Sequence, residues 1–143
     1  MNNTICIDAG PVIQLVAFPE NSSIQQTWED WEKQGLTIAA PALLYYEVTN
    51  VLHRYLKYGI LSSGTMQTLL LAALSLPVQL VEDPELHIRA AAIAQDYNLP
   101  AAYDAHYLAL AKRLETELWT IDQKLLSRLK DYNIDWVRLV PSR

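Results

Sequence analysis

Four acidic residues of this chain stand beside apolar stretches, where a carboxylate is unfavourable. Asp8 follows TICI and Asp122 follows LWTI, two runs that are typical of buried strands. Asp104 heads the helical stripe AHYLALA, and Glu47 lies within PALLYYEVTNVL. An ionised carboxylate is costly to bury unless hydrogen-bond donors or a cation compensate for its lost hydration. We therefore expect the four acids to share one compensating partner.

Glu47 is the most informative of the four because of its position on a predicted helix. It lies beside, and not opposite, the stripe that would face the core, which consists of Leu44, Val48, Val51, Leu52 and Tyr55. Asp104 poses the same problem on its own helix. The residues below it on the same face are Tyr107, Leu108 and Ala111.

A cavity that collects four carboxylates needs cations to neutralise their mutual repulsion. Ligands that offer only oxygen select the hard ions Mg²⁺ or Mn²⁺ over zinc, and no Cys/His spacing in the chain competes with this interpretation. Such an ion lowers the pKa of a bound water, holds a phosphate oxygen and neutralises a leaving oxygen. The pattern therefore predicts phosphodiester hydrolysis, with Asp8, Glu47, Asp104 and Asp122 as metal ligands.

Each acid also has a purely structural interpretation. Asp104 and Asp122 each begin a predicted helix and could be N-caps, and Asp8 could cap the short helix that follows it. Glu47 could pair with Arg54, about two turns later on the same helix. Structural roles perturb acids as well as catalytic ones do. The metal site is favoured because two strand ends and two helices would direct their acids toward one edge of one sheet.

Short β-rich runs alternate with helical ones along the chain. The predicted strands cover 4–8, 36–40, 78–82, 117–121 and 135–140. The helices between them are expected to begin at or next to Pro11, Ser22 or Ser23, Pro41, Ser62 or Ser63, Pro84, Asp104 and Asp122. Strands separated by helices imply crossover connections, so the sequence predicts a three-layer α/β/α sandwich with a mainly parallel central sheet. Sheets of this kind bind ligands at the carboxyl ends of their strands.

The composition is that of an ordinary globular protein. The 143 residues suit one domain, placed at 1–143, and a hydrophobic content of 51% with 19% charged residues argues against disorder. A net charge of −5 argues against a broad basic surface for duplex DNA. Cys6 is the single cysteine, no apolar run is long enough to cross a bilayer, and the first ten residues lack signal-peptide features. We expect a cytoplasmic protein without a membrane partner.

The remaining candidate residues have simpler interpretations. The chain has 16 acidic residues, and the 12 outside the group of four, Asp83 among them, lie in polar helices, at helix ends or in turns, where solvation is the simplest role. His106 stands two residues after Asp104 and is expected at the rim of the site. His53 and His87 have the positions of ordinary helix-surface residues, and Cys6 that of a small core residue.

Four segments of the chain resemble the acidic motifs of the PIN domain. They are CIDAGPVIQL, PALLYYEVTNVL, AAYDAHYLALA and LWTIDQKLL, and they span nearly the whole chain in the family's order. In detail they resemble the VapC-type toxins of bacterial toxin–antitoxin pairs. The resemblance implies an α/β/α metal-dependent endoribonuclease that uses Mg²⁺ or Mn²⁺. It implies that Asp8, Glu47, Asp104 and Asp122 are the acidic quartet, with Asn50 and Thr120 as polar neighbours.

Gly10 departs from the family's pattern. The family usually has Ser or Thr two residues after the first Asp, where this chain has Gly10. The missing hydroxyl would have oriented a metal ligand or touched the substrate, and such losses weaken metal binding or activity. A bare backbone ahead of Pro11 would compensate in part, since it leaves helix N–H groups open to a phosphate.

The resemblance also implies partners. The substrate would be RNA, cut at a single-stranded or loop site, and the candidate cationic contacts are Arg54, Lys112, Arg113 and Lys124. The runs YLKYG and LLLAALSL offer more apolar surface than one small core needs, which suggests a homodimer. A further groove would receive the C-terminal segment of a cognate VapB-type antitoxin, and an acidic pocket suits a basic residue of that segment.

Three other functions are alternatives to the nuclease. Gly10 motivates a catalytically weakened PIN-fold module that binds RNA or protein. A phosphoacceptor signalling domain would need paired acids after the first strand and a lysine near the last, but CIDAG has one acid and DWVRLV has no lysine. A haloacid-dehalogenase-like phosphatase would need Asp-x-Asp, which Asp8-Ala9-Gly10 lacks.

Overall fold

A computed structural model describes residues 3–142 of the chain. The strands are β1 (Thr4–Ile7), β2 (Thr37–Pro41), β3 (Val78–Val81), β4 (Leu118–Thr120) and β5 (Val137–Leu139). The α-helices are α1 (Ala9–Ala17), α2 (Ile24–Lys33), α3 (Leu43–Lys57), α4 (Ser63–Leu74), α5 (Pro84–Asp96), α6 (Tyr103–Arg113) and α7 (Gln123–Leu129). Each predicted strand is present, and its ends lie within two residues of the expected ones.

The five strands form one sheet in the order β3-β2-β1-β4-β5, and each pairing is parallel. In the central strand β1, the consecutive residues Ile5, Cys6 and Ile7 are all buried. Consecutive strand residues point to opposite faces, so both faces of the sheet are covered. The predicted α/β fold with a parallel central sheet is therefore confirmed.

The direction of the crossovers reverses between β1 and β4. Right-handed connections place the helices of the β1–β2 and β2–β3 crossovers on one face, and those that follow β3 and β4 on the other. The contacts agree, because α1, α3 and α4 pack together while α6 packs with α5 against β1, β2 and β4. Parallel sheets open a crevice at the carboxyl ends of the strands where the order reverses. Here that crevice lies beyond β1 and β4.

Pro41 has a different role from the one predicted for it. It is the last residue of β2, opposite Val81, and the helix begins only at Leu43. Proline lacks an N–H, but the next residue, Ala42, donates its own N–H to Val81 O at 3.1 Å. Strand pairing therefore continues through Pro41 and delays the helix. The predicted end of this helix near Gly59 is confirmed, since α3 ends at Lys57 and Gly59 has a φ of 75°.

Asp83 is not the simply solvated acid that the sequence suggested. It is the N-cap of α5 and accepts from Leu86 N at 2.9 Å. Both its oxygens also accept from the Arg113 guanidinium of α6, at 2.7 and 3.0 Å. This bidentate pair joins the two helices that cover one face of the sheet. Among residues 3–142, no helix has the length and apolar character needed to cross a membrane.

Candidate active site

The four predicted acids line one cavity of about 460 Å³. Asp8 directly follows β1, and Asp122 lies two residues beyond β4, so both stand at the crevice where the strand order reverses. Glu47 reaches the cavity from the second turn of α3, and Asp104 from the first turn of α6. Four segments that are distant in the sequence therefore bring their carboxylates to one place.

Asp8 is held by the end of β4 as well as by its own helix. One oxygen accepts from Ala9 N at 2.5 Å, which makes Asp8 the N-cap of α1. The other oxygen accepts from the Thr120 hydroxyl at 2.8 Å. Thr120 is fully buried, and its hydroxyl oxygen also accepts from Asp122 N at 3.0 Å. Thr120 therefore connects the two acids that follow β1 and β4.

Glu47 is held by a tyrosine that the sequence reasoning did not assign to the site. The Tyr107 hydroxyl donates to Glu47 Oε1, and the Tyr107 side chain is buried. The pair with Arg54, considered as a structural alternative for Glu47, does not form. The sequence contained one signal for this contact, which was a hydroxyl three residues after Asp104 in an otherwise apolar stripe.

Asp104 and Asp122 differ in how they meet the backbone. Asp122 is the N-cap of α7, with one oxygen accepting from Lys124 N at 2.9 Å and Leu125 N at 3.1 Å. The structural interpretation therefore holds for Asp122 alongside its place in the cavity. It fails for Asp104, because α6 begins at Tyr103 and its N-cap is Ala102. The Asp104 carboxylate accepts no hydrogen bond from any group within residues 3–142.

The electrostatics of the cavity are those of crowded, partly desolvated carboxylates. Burial raises the pKa of Asp8 to about 7, against the effect of the Thr120 hydrogen bond, and the charges of Asp104 and Glu47 add to the rise. Burial also raises the pKa of Glu47 and of Asp104, and Asp122 adds to the rise at Asp104. No lysine or arginine in the part of the chain that the structure describes forms an ion pair with any of the four.

The donor chemistry of the cavity suits a hard divalent cation, although the side chains are not arranged as a ready-made cluster. Within residues 3–142, no three His, Cys, Asp or Glu side chains are positioned to hold one metal ion together. Mg²⁺ does not require such a cluster, since it keeps several waters and is commonly bound through one or two carboxylates. Among residues 3–142, both oxygens of Asp104 and one of Glu47 have no hydrogen-bond partner, which leaves them available to a cation.

The backbone of Gly10 lies close to the Ile121 side chain and leaves no space for a Cβ atom. A Cβ atom added at Gly10 would lie 2.5 Å from Ile121 Cγ1 and 2.8 Å from Ile121 Cδ1. Both residues line the cavity between Asp8 and Asp122. The space in which a Ser or Thr side chain would begin is therefore occupied by Ile121. The absence of a side chain at Gly10 and the bulk of Ile121 fit each other sterically.

The other predicted site residues divide between two places. Arg54 lines the acidic cavity, with its side chain exposed. Asn50 instead lines a neighbouring groove of about 780 Å³, together with Tyr46, Leu74 and Leu80. Of the other three candidate cations, Arg113 is engaged by Asp83, and Lys112 and Lys124 do not line the acidic cavity.

The sequence reasoning treated His87 and His106 as separate surface residues, but they form a chain of hydrogen bonds. His87 Nδ1 and His106 Nε2 are 2.9 Å apart, and His87 Nε2 lies 2.9 Å from Glu82 Oε1. His106 Nδ1 donates to Ala102 O at 2.7 Å. This chain lies outside the acidic cavity but next to it, because His106 is close enough to Glu47 to oppose the rise in the pKa of that carboxyl.

The fold and the cavity define an α/β protein whose acids gather at the carboxyl edge of a parallel sheet. A model of the PIN domain family matches residues 5–131, and the chain belongs to this family. PIN domains are generally nucleases, which supports a hydrolase of that class.

Two solved structures show the same fold. One is the crystal structure of PAE2754 from Pyrobaculum aerophilum, with a TM-score of 0.71 and 23% sequence identity over 96% of this chain and 90% of that chain. The other is a toxin–antitoxin complex from Klebsiella pneumoniae, with a TM-score of 0.65 and 22% identity over 94% of this chain and 95% of that chain. No curated protein matches the sequence significantly.

Proposed function

We propose that this protein is a Mg²⁺- or Mn²⁺-dependent endoribonuclease, the VapC-type toxin of a toxin–antitoxin pair. The observation that carries the proposal is the meeting of Asp8, Glu47, Asp104 and Asp122 around one cavity in a PIN domain. Their crowding leaves negative charge that no lysine or arginine of residues 3–142 neutralises through an ion pair. A divalent cation would supply that compensation.

Acids of this cavity would hold the cation, directly or through its waters, and the cation when bound would activate a water and stabilise charge on the phosphate. The protein's own contribution is orientation. Thr120 donates its hydroxyl to Asp8 and accepts from the backbone N–H of Asp122, so one side chain orients both acids at the strand ends. Arg54 lines the cavity and is placed to attract an RNA phosphate into an otherwise acidic site.

Two protein partners are part of the proposal, an antitoxin and a second copy of this chain. The complex from Klebsiella pneumoniae is described as a toxin–antitoxin complex, which favours a VapB-type antitoxin here. We assign the antitoxin segment to a groove of about 300 Å³ that joins α3 to α6 and is lined by Leu43, Tyr46, Leu86 and Tyr103. A basic residue on that segment would reach the neighbouring acids and block RNA. A homodimer would form through the exposed apolar residues of α4 and β3.

The test removes single charges without removing the side chains. Asp104→Asn and Asp8→Asn should abolish cleavage of single-stranded RNA in the presence of Mn²⁺, because each deletes one of the acids that hold the cation. Asp96→Asn, on the exposed end of α5, is the matched control and should cleave RNA as the wild-type protein does. Circular dichroism should show that all three variants are folded. Full cleavage by either cavity variant would refute the assignment of the four acids.

A second candidate function is favoured by the fit between Gly10 and Ile121. Gly10 has no hydroxyl, whereas the family usually has Ser or Thr at this place, and Ile121 fills the space in which such a side chain would begin. A PIN fold with this change could bind RNA or protein and cleave slowly or not at all. Calorimetric titration with Mn²⁺ distinguishes the two functions, since a binding module with lapsed catalysis should stay folded and bind no metal.

A further inference from the structure

We propose that Tyr107 is a positioning residue of the active site, whose buried hydroxyl holds the Glu47 carboxylate in place for the cation. The inference rests on the proposed function, because it gives Glu47 an orientation that matters only if Glu47 serves the metal. Tyr107 is not one of the predicted site residues, and it does not line the acidic cavity. Its role would be exerted through Glu47 alone.

The contact between the two side chains spans the site. Tyr107 lies on α6 one turn beyond Asp104, and its side chain is 1% exposed. Its hydroxyl reaches α3 and donates to Glu47 Oε1. Within residues 3–142 neither the hydroxyl nor the Glu47 carboxylate has another hydrogen-bond partner. A buried tyrosine hydroxyl needs a partner, so this bond is strongly favoured in the folded state.

The bond fixes a side chain that would otherwise be mobile. Glutamate has several rotatable bonds and loses conformational freedom when one oxygen is bound. The Tyr107 bond occupies Oε1, and Oε2 has no partner in the part of the chain that the structure describes, so Oε2 is available to a cation. Thr120 acts on Asp8 in the same way, so two buried hydroxyls orient the two acids contributed by α3 and β1. Asp104 has no such donor.

The hydroxyl is suited to this task because it stays protonated. A tyrosine hydroxyl is a donor with an ordinary pKa of about 10, and here it is buried and hydrogen-bonded to the Glu47 carboxylate. Tyr107 therefore remains a neutral donor throughout the neutral range. A cationic donor in its place would neutralise the cavity and compete with the metal, whereas the hydroxyl orients Glu47 and leaves its charge intact.

The test measures Mn²⁺ affinity by calorimetry in the full-length protein. Tyr107→Phe removes the hydroxyl and keeps the ring, and it should weaken Mn²⁺ binding about 10-fold, the lower end of the effect of removing a partner of a metal ligand. Glu47→Gln should weaken binding by at least as much. The double variant should bind as Glu47→Gln does, because Tyr107 acts only through the Glu47 carboxylate. A further loss in the double variant would overturn the proposal.

Tyr45→Phe is the control for losing a partly buried tyrosine hydroxyl. Tyr45 lies on α3 and donates to Ala73 O at 2.8 Å, away from the acids. It should lower the unfolding temperature somewhat and leave Mn²⁺ affinity unchanged. If the wild-type protein binds Mn²⁺ and Tyr107→Phe binds it equally well, the positioning role is refuted while the proposed function stands. If the wild-type protein binds no Mn²⁺ and cleaves no RNA, the proposed function fails and Tyr107 loses its role with it.

Discussion

At the scale of single residues, each of two acids in the cavity is held by a buried hydroxyl, Asp8 by Thr120 and Glu47 by Tyr107. Asp8, Glu47, Asp104 and Asp122 stand out because a carboxylate in an apolar stretch is locally anomalous. Tyr107 gives a weaker signal, a hydroxyl in an otherwise apolar stripe, and that signal does not indicate that the hydroxyl reaches α3. Contacts between distant segments depend on how the helices pack, which no local pattern records.

Asn50 shows the limit of helical geometry at the same scale. The family resemblance implied that it neighbours the acids, and it follows Glu47 by three residues on the same helix. Three residues rotate an α-helix by about 300°, which leaves the two side chains about 60° apart. That angle is enough to put Glu47 in the acidic cavity and Asn50 in the groove with Leu74 and Leu80.

The fit between Gly10 and Ile121 leads to a prediction about stability. Gly10→Ala should destabilise the protein, because overpacking against Ile121 costs about 1–3 kcal/mol, whereas replacing a helical glycine by alanine gains only about 0.5–1 kcal/mol. The distances of 2.5 and 2.8 Å to Ile121 make the clash the larger effect. Urea denaturation of the two proteins measures the difference.

Ile121→Ala is the matched background for this substitution. Without the Ile121 side chain the added methyl group has space, so Gly10→Ala should be neutral or stabilising there. A Gly10→Ala variant more stable than the wild-type protein would show that Ile121 moves aside at little cost. The claim that Ile121 requires a glycine at position 10 would then be refuted.

At the scale of elements, the strands and most helices were predictable from the periodicity of apolar residues. The prediction was wrong at Pro41, where pairing between strands determines the structure. All five predicted strands are present, and the helices expected at Ser62 or Ser63 and at Pro84 begin at Ser63 and Pro84. Pro41 was misplaced because the ladder to Val81 outweighs the preference of proline for a first helical turn. Asp104 was considered as a cap, but the helix begins earlier, at Tyr103. The order of the strands is set by tertiary packing and was not predictable from any one segment.

The Asp83–Arg113 pair gives a prediction about acid stability. The Arg113 hydrogen bonds, with the backbone N–H of Leu86, lower the pKa of Asp83 to about 2. A carboxyl whose pKa is lower in the folded state stabilises the fold above its unfolded pKa and loses that contribution as the pH falls through the folded value. Stability due to this pair should therefore disappear between about pH 4 and pH 2.

Asp83→Asn isolates the ion pair from the cap, because asparagine remains a good N-cap and cannot pair with Arg113 as an anion. The variant should be less stable than the wild-type protein at pH 6 and should approach it near pH 2, as measured by urea denaturation. The control is Glu85→Gln, which removes the exposed ion pair between Glu85 and Arg89 within α5. Its free energy of unfolding at pH 6 should differ little from that of the wild-type protein. An equal gap between Asp83→Asn and the wild-type protein at both pH values would contradict the assignment.

At the scale of the whole molecule, apolar side chains remain exposed along one edge. Leu71 and Leu74 lie one turn apart on α4 and are 65% and 51% exposed, and Leu80 of β3 is 44% exposed. β3 is an edge strand of the sheet, with Leu74 and Leu80 in the same groove. Apolar residues beside an unpaired strand edge are typical of association surfaces. We place the proposed homodimer there, away from the acidic cavity.

Leu74→Glu should therefore convert a dimer to a monomer, because the interface would have to bury an unpaired charge. Light scattering coupled to gel filtration measures the mass of the particle, and the acidic cavity should be unaffected in the monomer. Ile88→Glu is the matched control, since Ile88 is 70% exposed on α5 and lies outside the α4 and β3 surface. The control should elute as the wild-type protein does. Dissociation by Ile88→Glu and not by Leu74→Glu would move the interface to the other face of the sheet, and a wild-type monomer at high concentration would exclude the homodimer.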